Sequence, residues 1–212
     1  MFYAPAWISI GGRFSARAEQ QVDNAVYLTF DDGPSKTSLA VAEELRGRDV
    51  AATFFLLGRQ AEENPGVANQ LRHLGHEIGF HGYDHLNPWA ISPARLRTDY
   101  ELGLKVLEKQ GNESIRWFRP PYGRVTPWGA AWARSRNMNT ILWDINPGDY
   151  KPDTRAEVVT TQVLKRVFAG SVILLHEQGA AWRGSISEVA SEIGELVERL
   201  REQGYSMEKL PR

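Results

Sequence analysis

"VYLTFDDGPSKT", residues 26–37, is an apolar, strand-like run that stops on two adjacent aspartates and then on Gly33-Pro34. A buried strand has little use for two like charges unless its end opens onto a polar site. The same design recurs along the chain. Short runs rich in β-branched and aromatic residues alternate with longer stretches of helical period. The strand candidates are "AVYLTF" (25–30), "ATFFLL" (52–57), "HEIGF" (76–80), "RWFR" (116–119), "NTILWDI" (139–145), "SVILL" (171–175) and a weaker "YSMEKL" (205–210).

Between them lie about six helix candidates with readable ends. Ser92-Pro93 and Thr126-Pro127 each read as an N-cap followed by Pro at the first helical position. After the first of these, Leu96, Tyr100, Leu104 and Leu107 share a face until Gly111 ends the pattern. Thr154 with Glu157, and Ser185 with Glu188, have the spacing of a capping box. The last helix carries Ile193, Leu196, Val197 and Leu200 and ends near Gly204. Such alternation predicts a parallel α/β fold, either an open doubly wound sheet or a barrel. In a closed α/β barrel the reacting groups gather where strands end, at one rim. Here five strand ends run into polar residues: Asp31-Asp32, His81, Arg119, Asp144 with Asn146, and His176. A single polar residue after a strand is ordinary loop chemistry, but five in register point to a site.

The 212 residues, 42% of them hydrophobic, suffice for one domain with a buried core. A net charge of -1, from 25 basic and 26 acidic residues, provides no field for nucleic acid or an anionic membrane, so no nucleic-acid partner is expected. No run reaches the roughly 18 to 20 apolar residues of a membrane span. The first residues, "MFYAPAWISIGGRF", lack a basic start followed by an apolar core. Localisation stays open: extracellular or cell-envelope if a signal has been removed, otherwise cytoplasmic. Oligomeric state is open, with a monomer favoured. There are no cysteines, so disulfides, thiolate metal sites and cysteine nucleophiles are excluded, and any metal must be held by His, Asp or Glu.

"HGYDH" places His81 and His85 four residues apart, a spacing that brings two imidazoles to one side of a helical turn. With one carboxylate from Asp31-Asp32 they make a three-ligand site with room for water. Two carboxylates so close repel, raising the pKa of one unless a cation lies between them. A metal would neutralise one and leave the other to accept a proton. Spacing alone does not say which does which. In "FRPPYG", Arg119 can fork onto a carboxylate, and Pro120-Pro121 fixes a turn whose next amide, at Tyr122, can serve as an oxyanion donor. His176, alone after its strand, suits a general acid, with Asp149 or Asp144 as its carboxylate partner.

Together these segments resemble the polysaccharide deacetylases of carbohydrate esterase family 4, which share the chitooligosaccharide deacetylase (NodB) homology domain, from about Val26 to about Glu177. The resemblance implies a distorted (β/α)7-type barrel as a single catalytic domain, residues 25–212, behind an N-terminal extension of residues 1–24. It implies Asp31 as catalytic base, oriented by Arg119, and Asp32, His81 and His85 as ligands of a divalent metal. Zinc is favoured, with cobalt, nickel or manganese as alternatives. It further implies the Tyr122 amide at the oxyanion, His176 with Asp149 as the acid, and Leu174, Pro121, Tyr150 and Trp143 against the substrate. The implied substrate is an acetylated glycan such as chitin oligomers or peptidoglycan, losing N- or O-acetyl groups. Trp89, Tyr122, Trp128 and Tyr150 are candidates to stack on sugar faces. The family pattern is broken at Gly82, where a hydroxyl residue is usual, at Leu86, where proline is usual, and at Asn146 and Tyr150 in "DINPGDY". A deformylase or non-sugar amidase on the same scaffold, or an inactive glycan-binding module, are the alternatives.

Overall fold

The computed structural model describes residues 24–110 and 114–211. The N-terminal extension up to residue 23, and Gly111, lie outside the described residues. The elements run β1 (Ala25–Gly33), α1 (Lys36–Gly47), β2 (Thr53–Leu56), α2 (Gly58–Glu63), α3 (Val67–His73), β3 (Glu77–Phe80), α4 (Pro93–Lys109), β4 (Trp117–Phe118), a 3-10 turn (Pro121–Gly123), α5 (Pro127–Arg134), β5 (Asn139–Thr140), α6 (Ala156–Leu164), β6 (Val172–Leu175), α7 (Ile186–Glu202) and β7 (Ser206–Glu208).

All strand pairs are parallel, in the order β5-β4-β3-β2-β1-β6, with β7 pairing the start of β1. The two edges approach each other through the chain after β5. Ile145 bridges Ile173, and the amides of Asp144 and Ile145 donate to the Val172 carbonyl at 2.9 and 3.1 Å. The sheet is thereby curled into a distorted barrel, which abolishes most free edge.

Strand periodicity sorts the two faces. Val26, Leu28, Phe30, Phe54, Leu56 and Phe80 face the helices and form the main core. Phe30 and Phe54 stack there with ring centroids 5.0 Å apart. The alternate residues Tyr27, Phe55, Trp117 and Val172, with Ile141 and Leu210, pack as a second cluster inside the curl. Register aligns the strand ends. Phe30 pairs Leu175, Leu56 pairs Phe80, and Phe80 pairs Phe118, so the residues just beyond them emerge at one rim.

Helix starts at Ser92, Thr126 and Ser185 are capped as expected, the last with a full capping box to Glu188. The box expected at Thr154 does not form. α6 begins one residue later, with Arg155 as N-cap and no side-chain cap bond. The fifth strand is also shorter than expected, two residues instead of seven. Beyond it the carbonyls of Ile141 and Leu142 accept hydrogen bonds from the Arg119 guanidinium at 3.4 and 2.8 Å, so a buried side chain replaces a strand as their partner. Among the described residues no helix is long and apolar enough to cross a membrane.

Candidate active site

Adjacent residues on a strand point to opposite faces, yet Asp31 and Asp32 reach the same cavity. The pairing of β1 with β2 skips at this point, and Asp32 adopts a left-handed φ of 76°. The irregularity turns the second carboxylate back toward the rim. Gly33 follows because nothing larger fits. A Cβ there would stand 2.6 Å from Glu177 Oε1 and 2.9 Å from Ser38 Oγ.

Asp31 is buried against a fully buried cation. Arg119 Nη1 donates to Asp31 Oδ1 at 2.7 Å and to Thr29 Oγ1 at 2.9 Å, and the guanidinium lies 4.0 Å from the Phe55 ring centroid. Thr29 in turn donates to the Ile173 carbonyl at 2.7 Å. Burial alone would raise the Asp31 pKa. The charges of Arg119, then His81 and His176, together with the Arg119 hydrogen bond, outweigh burial and hold the carboxyl below its ordinary value. The expected repulsion between the two aspartates therefore does not govern Asp31, because an internal cation already neutralises it.

Asp32, His81 and His85 offer ligand atoms that lie within 4.8 Å of one another. Asp32 Oδ1 is 3.5 Å from His81 Nε2 and 3.4 Å from His85 Nε2, and it is buried with no hydrogen-bond partner. His81 Nδ1 lies 2.7 Å from the Arg119 carbonyl, which can only accept. The proton is therefore on Nδ1, and the Nε2 lone pair faces Asp32. Burial, then the neighbouring His81, holds His85 below the ordinary imidazole value. An orphaned carboxylate oxygen facing two imidazole nitrogens fits a divalent cation.

The two histidines do not share a helical turn. His81 follows β3, and the loop reaches His85 through left-handed residues, Gly82 at φ 96° and His85 at φ 53°. Asp99, buried on α4, holds that loop. Its two oxygens accept the amides of Tyr83 and Asp84, each at 2.9 Å. This accounts for the missing hydroxyl at position 82, since a Cβ there would lie 3.1 Å from Asp99 Oδ2. A carboxylate from the neighbouring helix occupies the space and ties down the backbone.

Across the cavity His176 Nδ1 is 3.0 Å from Asp149 Oδ1. The other carboxylate oxygen of Asp149 accepts the His176 amide at 2.6 Å and the Trp182 indole at 3.2 Å. Burial opposes the charged imidazole, but the Asp149 hydrogen bond and charge, with Asp31 and Asp32 beyond, raise His176 to about 9. Asp144, the other candidate partner, instead accepts the Val172 amide at 2.9 Å.

A cavity of about 440 Å³ unites Asp31, Asp32, His81, His85 and His176, with Tyr122, Leu174, Trp143, Tyr150, Asn146 and Arg124 also on its wall. Pro121 is buried in the 3-10 turn and is not on that wall. Trp128 is away from it too, packed on Tyr100 and Trp132 beneath Arg97. Tyr150 sets its ring edge-on to His176 at 5.5 Å, and Asn146 folds back to accept the Gly148 amide at 3.0 Å. Asp99, Thr29 and Trp182 carried no sequence signal of their own, since their partners lie on other elements.

A carboxylate kept ionised by a buried cation faces an imidazole kept protonated by a buried carboxylate, with ligands for a Lewis acid between them. That is the working set of a metal-dependent hydrolase. A family model described as polysaccharide deacetylase matches residues 18–140. A peptidoglycan-N-acetylglucosamine deacetylase of Bacillus cereus is 31% identical over 188 residues, covering 88% of this chain and 66% of that protein's length. A chitooligosaccharide deacetylase of Azorhizobium caulinodans is 31% identical over 200 residues, covering 90% of this chain and 95% of that one. Among solved structures, a peptidoglycan N-acetylglucosamine deacetylase in complex with 4-naphthalen-1-yl-N-oxidanyl-benzamide superposes with a TM-score of 0.79 at 30% identity, covering 91% of this chain and 88% of that one. The chain belongs to the polysaccharide deacetylase family, carbohydrate esterase family 4.

Proposed function

We propose that the chain hydrolyses the acetamide of N-acetylglucosamine residues in a peptidoglycan-like or chitin-like glycan, releasing acetate and the free amine. The observation that carries the reading is the buried, partnerless Asp32 Oδ1 between His81 Nε2 and His85 Nε2, in one cavity with Asp31 and His176. Asp32, His81 and His85 would hold the divalent cation, for which zinc suits two imidazoles and a carboxylate best, with cobalt, nickel and manganese as other occupants. When bound, the cation supplies Lewis-acid polarisation and makes water a nucleophile at neutral pH.

The remaining chemistry belongs to side chains. Asp31, held ionised and in one orientation by Arg119, accepts the proton of the attacking water. The Tyr122 amide, at the turn that follows Arg119, donates to the oxygen on which charge develops. His176, oriented through Nδ1 by Asp149, gives a proton from Nε2 to the departing nitrogen. Leu174 and Trp143 provide the apolar wall for the acetyl methyl.

Acetate release from N-acetylglucosamine oligomers and from peptidoglycan, by zinc-loaded wild type and Asp31→Asn, tests the reading. The expected result is release by the wild type that falls about 10²- to 10⁴-fold in the variant, the usual weight of a general base. Release undiminished in Asp31→Asn, or none from the zinc-loaded wild type, contradicts it.

A further inference from the structure

Beside the cavity an aromatic and cationic ladder runs outward from the metal ligands. The His85 ring packs on Tyr122 at 4.4 Å between centroids. The Arg124 guanidinium lies 5.4 Å from the Tyr122 ring and 5.1 Å from the Trp89 ring. Trp89 is fixed by its indole N–H, which donates to the Val125 carbonyl at 3.1 Å. Yet it remains 67% exposed, and Tyr122 57%. Two large aromatic faces left to solvent beside a catalytic cavity are unusual surface for a chain that buries most of its other rings.

Arg124 is the informative member. It lines the cavity, and among the described residues it has no ion-pair partner. Stacking on two rings restricts the side chain and leaves its N–H edges free, which prepares a guanidinium to receive a carboxylate in a forked geometry.

We propose that Arg124, framed by Trp89 and Tyr122, forms a subsite for a carboxylate-bearing sugar next to the one being deacetylated. The ligand class is then a glycan strand in which N-acetylglucosamine alternates with an acidic sugar, as in peptidoglycan with free lactyl carboxylates, and not a neutral homopolymer. The inference rests on the glycan-deacetylase reading above and sharpens it by selecting between its two polymers. Trp89 offers its exposed face to the sugar ring, and Arg124 takes the charge.

The test compares two strands that differ only in charge: a tetrasaccharide alternating N-acetylglucosamine and N-acetylmuramic acid, and the same strand with its lactyl carboxylates converted to methyl esters. Wild type, Arg124→Gln and Arg124→Lys are assayed for acetate release and, separately, for affinity by the fluorescence of the protein's tryptophans. Wild type is expected to favour the charged strand about tenfold, the equivalent of one charge-assisted hydrogen bond. The preference should appear in KM more than in kcat and shrink as salt rises. Arg124→Gln is expected to abolish the preference and its salt dependence, and Arg124→Lys to keep part of both. Equal treatment of the two strands by the wild type, or an Arg124→Gln loss that is the same on both, would overturn the subsite. The affinity arm does not need catalysis. Absence of acetate release with a retained, Arg124-dependent preference in binding would therefore sink the deacetylase reading and leave the subsite standing.

Discussion

Arg119 and Asp31 form a wholly internal ion pair at 2.7 Å, and through it the barrel interior is tied to the cavity wall. The guanidinium also holds the carbonyls of Ile141 and Leu142 and the hydroxyl of Thr29. One side chain thus ties the end of β1 to the chain beyond β5. Removing one partner of such a pair leaves the other charged and buried. Arg119→Ala is expected to destabilise the fold by about 3–5 kcal/mol. Urea denaturation of metal-free protein checks this, and a loss below about 1 kcal/mol would show the pair to be dispensable.

Asp99 holds the loop that carries His85 without belonging to the candidate ligand set. Asp99→Asn turns one of its two amide acceptors into a donor facing an N–H. Groups that orient ligands in this way typically cost 10- to 100-fold in metal affinity when altered. A zinc affinity at least about tenfold weaker in Asp99→Asn, measured by chelator competition, is the expected outcome; an unchanged affinity would reduce Asp99 to a packing residue. Gly82→Ser should not improve the site, because a side chain there meets Asp99 and a φ of 96°.

His176 carries a pH prediction. With its pKa raised to about 9 in the metal-free fold, the stability it contributes is fully present below the unfolded value near 6.5 and is lost as pH rises through about 9. Asp32 Oδ2 lies 4.0 Å from His176 Nε2, so a cation at Asp32 adds positive charge nearby and must lower that pKa. NMR titration should find the imidazole titrating near 9 without metal and lower with zinc. The basic limb of kcat/KM should follow the lower value. A zinc-induced rise would contradict this geometry.

Glu177 makes the opposite kind of acid. Burial, only partly offset by the hydroxyl of Ser38, raises its pKa to about 7, and its Oε2 has no hydrogen-bond partner. The folded chain therefore keeps a proton that the unfolded chain loses near 4.5. The stability that Glu177 contributes should fall as pH rises between those values, at a slope approaching ~1.4 kcal/mol for each pH step of one. Glu177→Gln should flatten that slope, read as Tm against pH across the same interval. A dependence of Tm on pH that is the same in wild type and Glu177→Gln would refute it.

The rim was legible in the sequence because apolar runs that stop on Asp, His or Arg mark strand ends in register, and parallel pairing then stacks those ends side by side. The alternation of strands and helices carried the α/β class for the same reason. What escaped depends on backbone geometry or on distant partners. The left-handed turn at Asp32 sits at a skip in strand pairing, which no residue pattern announces. The helical turn expected for His81 and His85 gave way to a loop because Asp99, sixteen residues from Tyr83, supplies its acceptors. The long fifth strand looked continuous because its apolar residues are those of a barrel interior, while its carbonyls are taken by Arg119. Trp128 was grouped with the sugar-facing aromatics by residue type alone, and α5 carries it to a different face.

Hydrolysis in this cavity is proposed to depend on one divalent cation held by Asp32, His81 and His85. The most direct measurement is a zinc titration of metal-stripped protein, following acetate release from N-acetylglucosamine oligomers beside bound zinc per chain, for wild type and Asp32→Ala. Release is expected to rise with zinc, level off at one equivalent and disappear together with zinc binding in Asp32→Ala. Release that survives metal stripping, or that persists in Asp32→Ala without bound zinc, would contradict it.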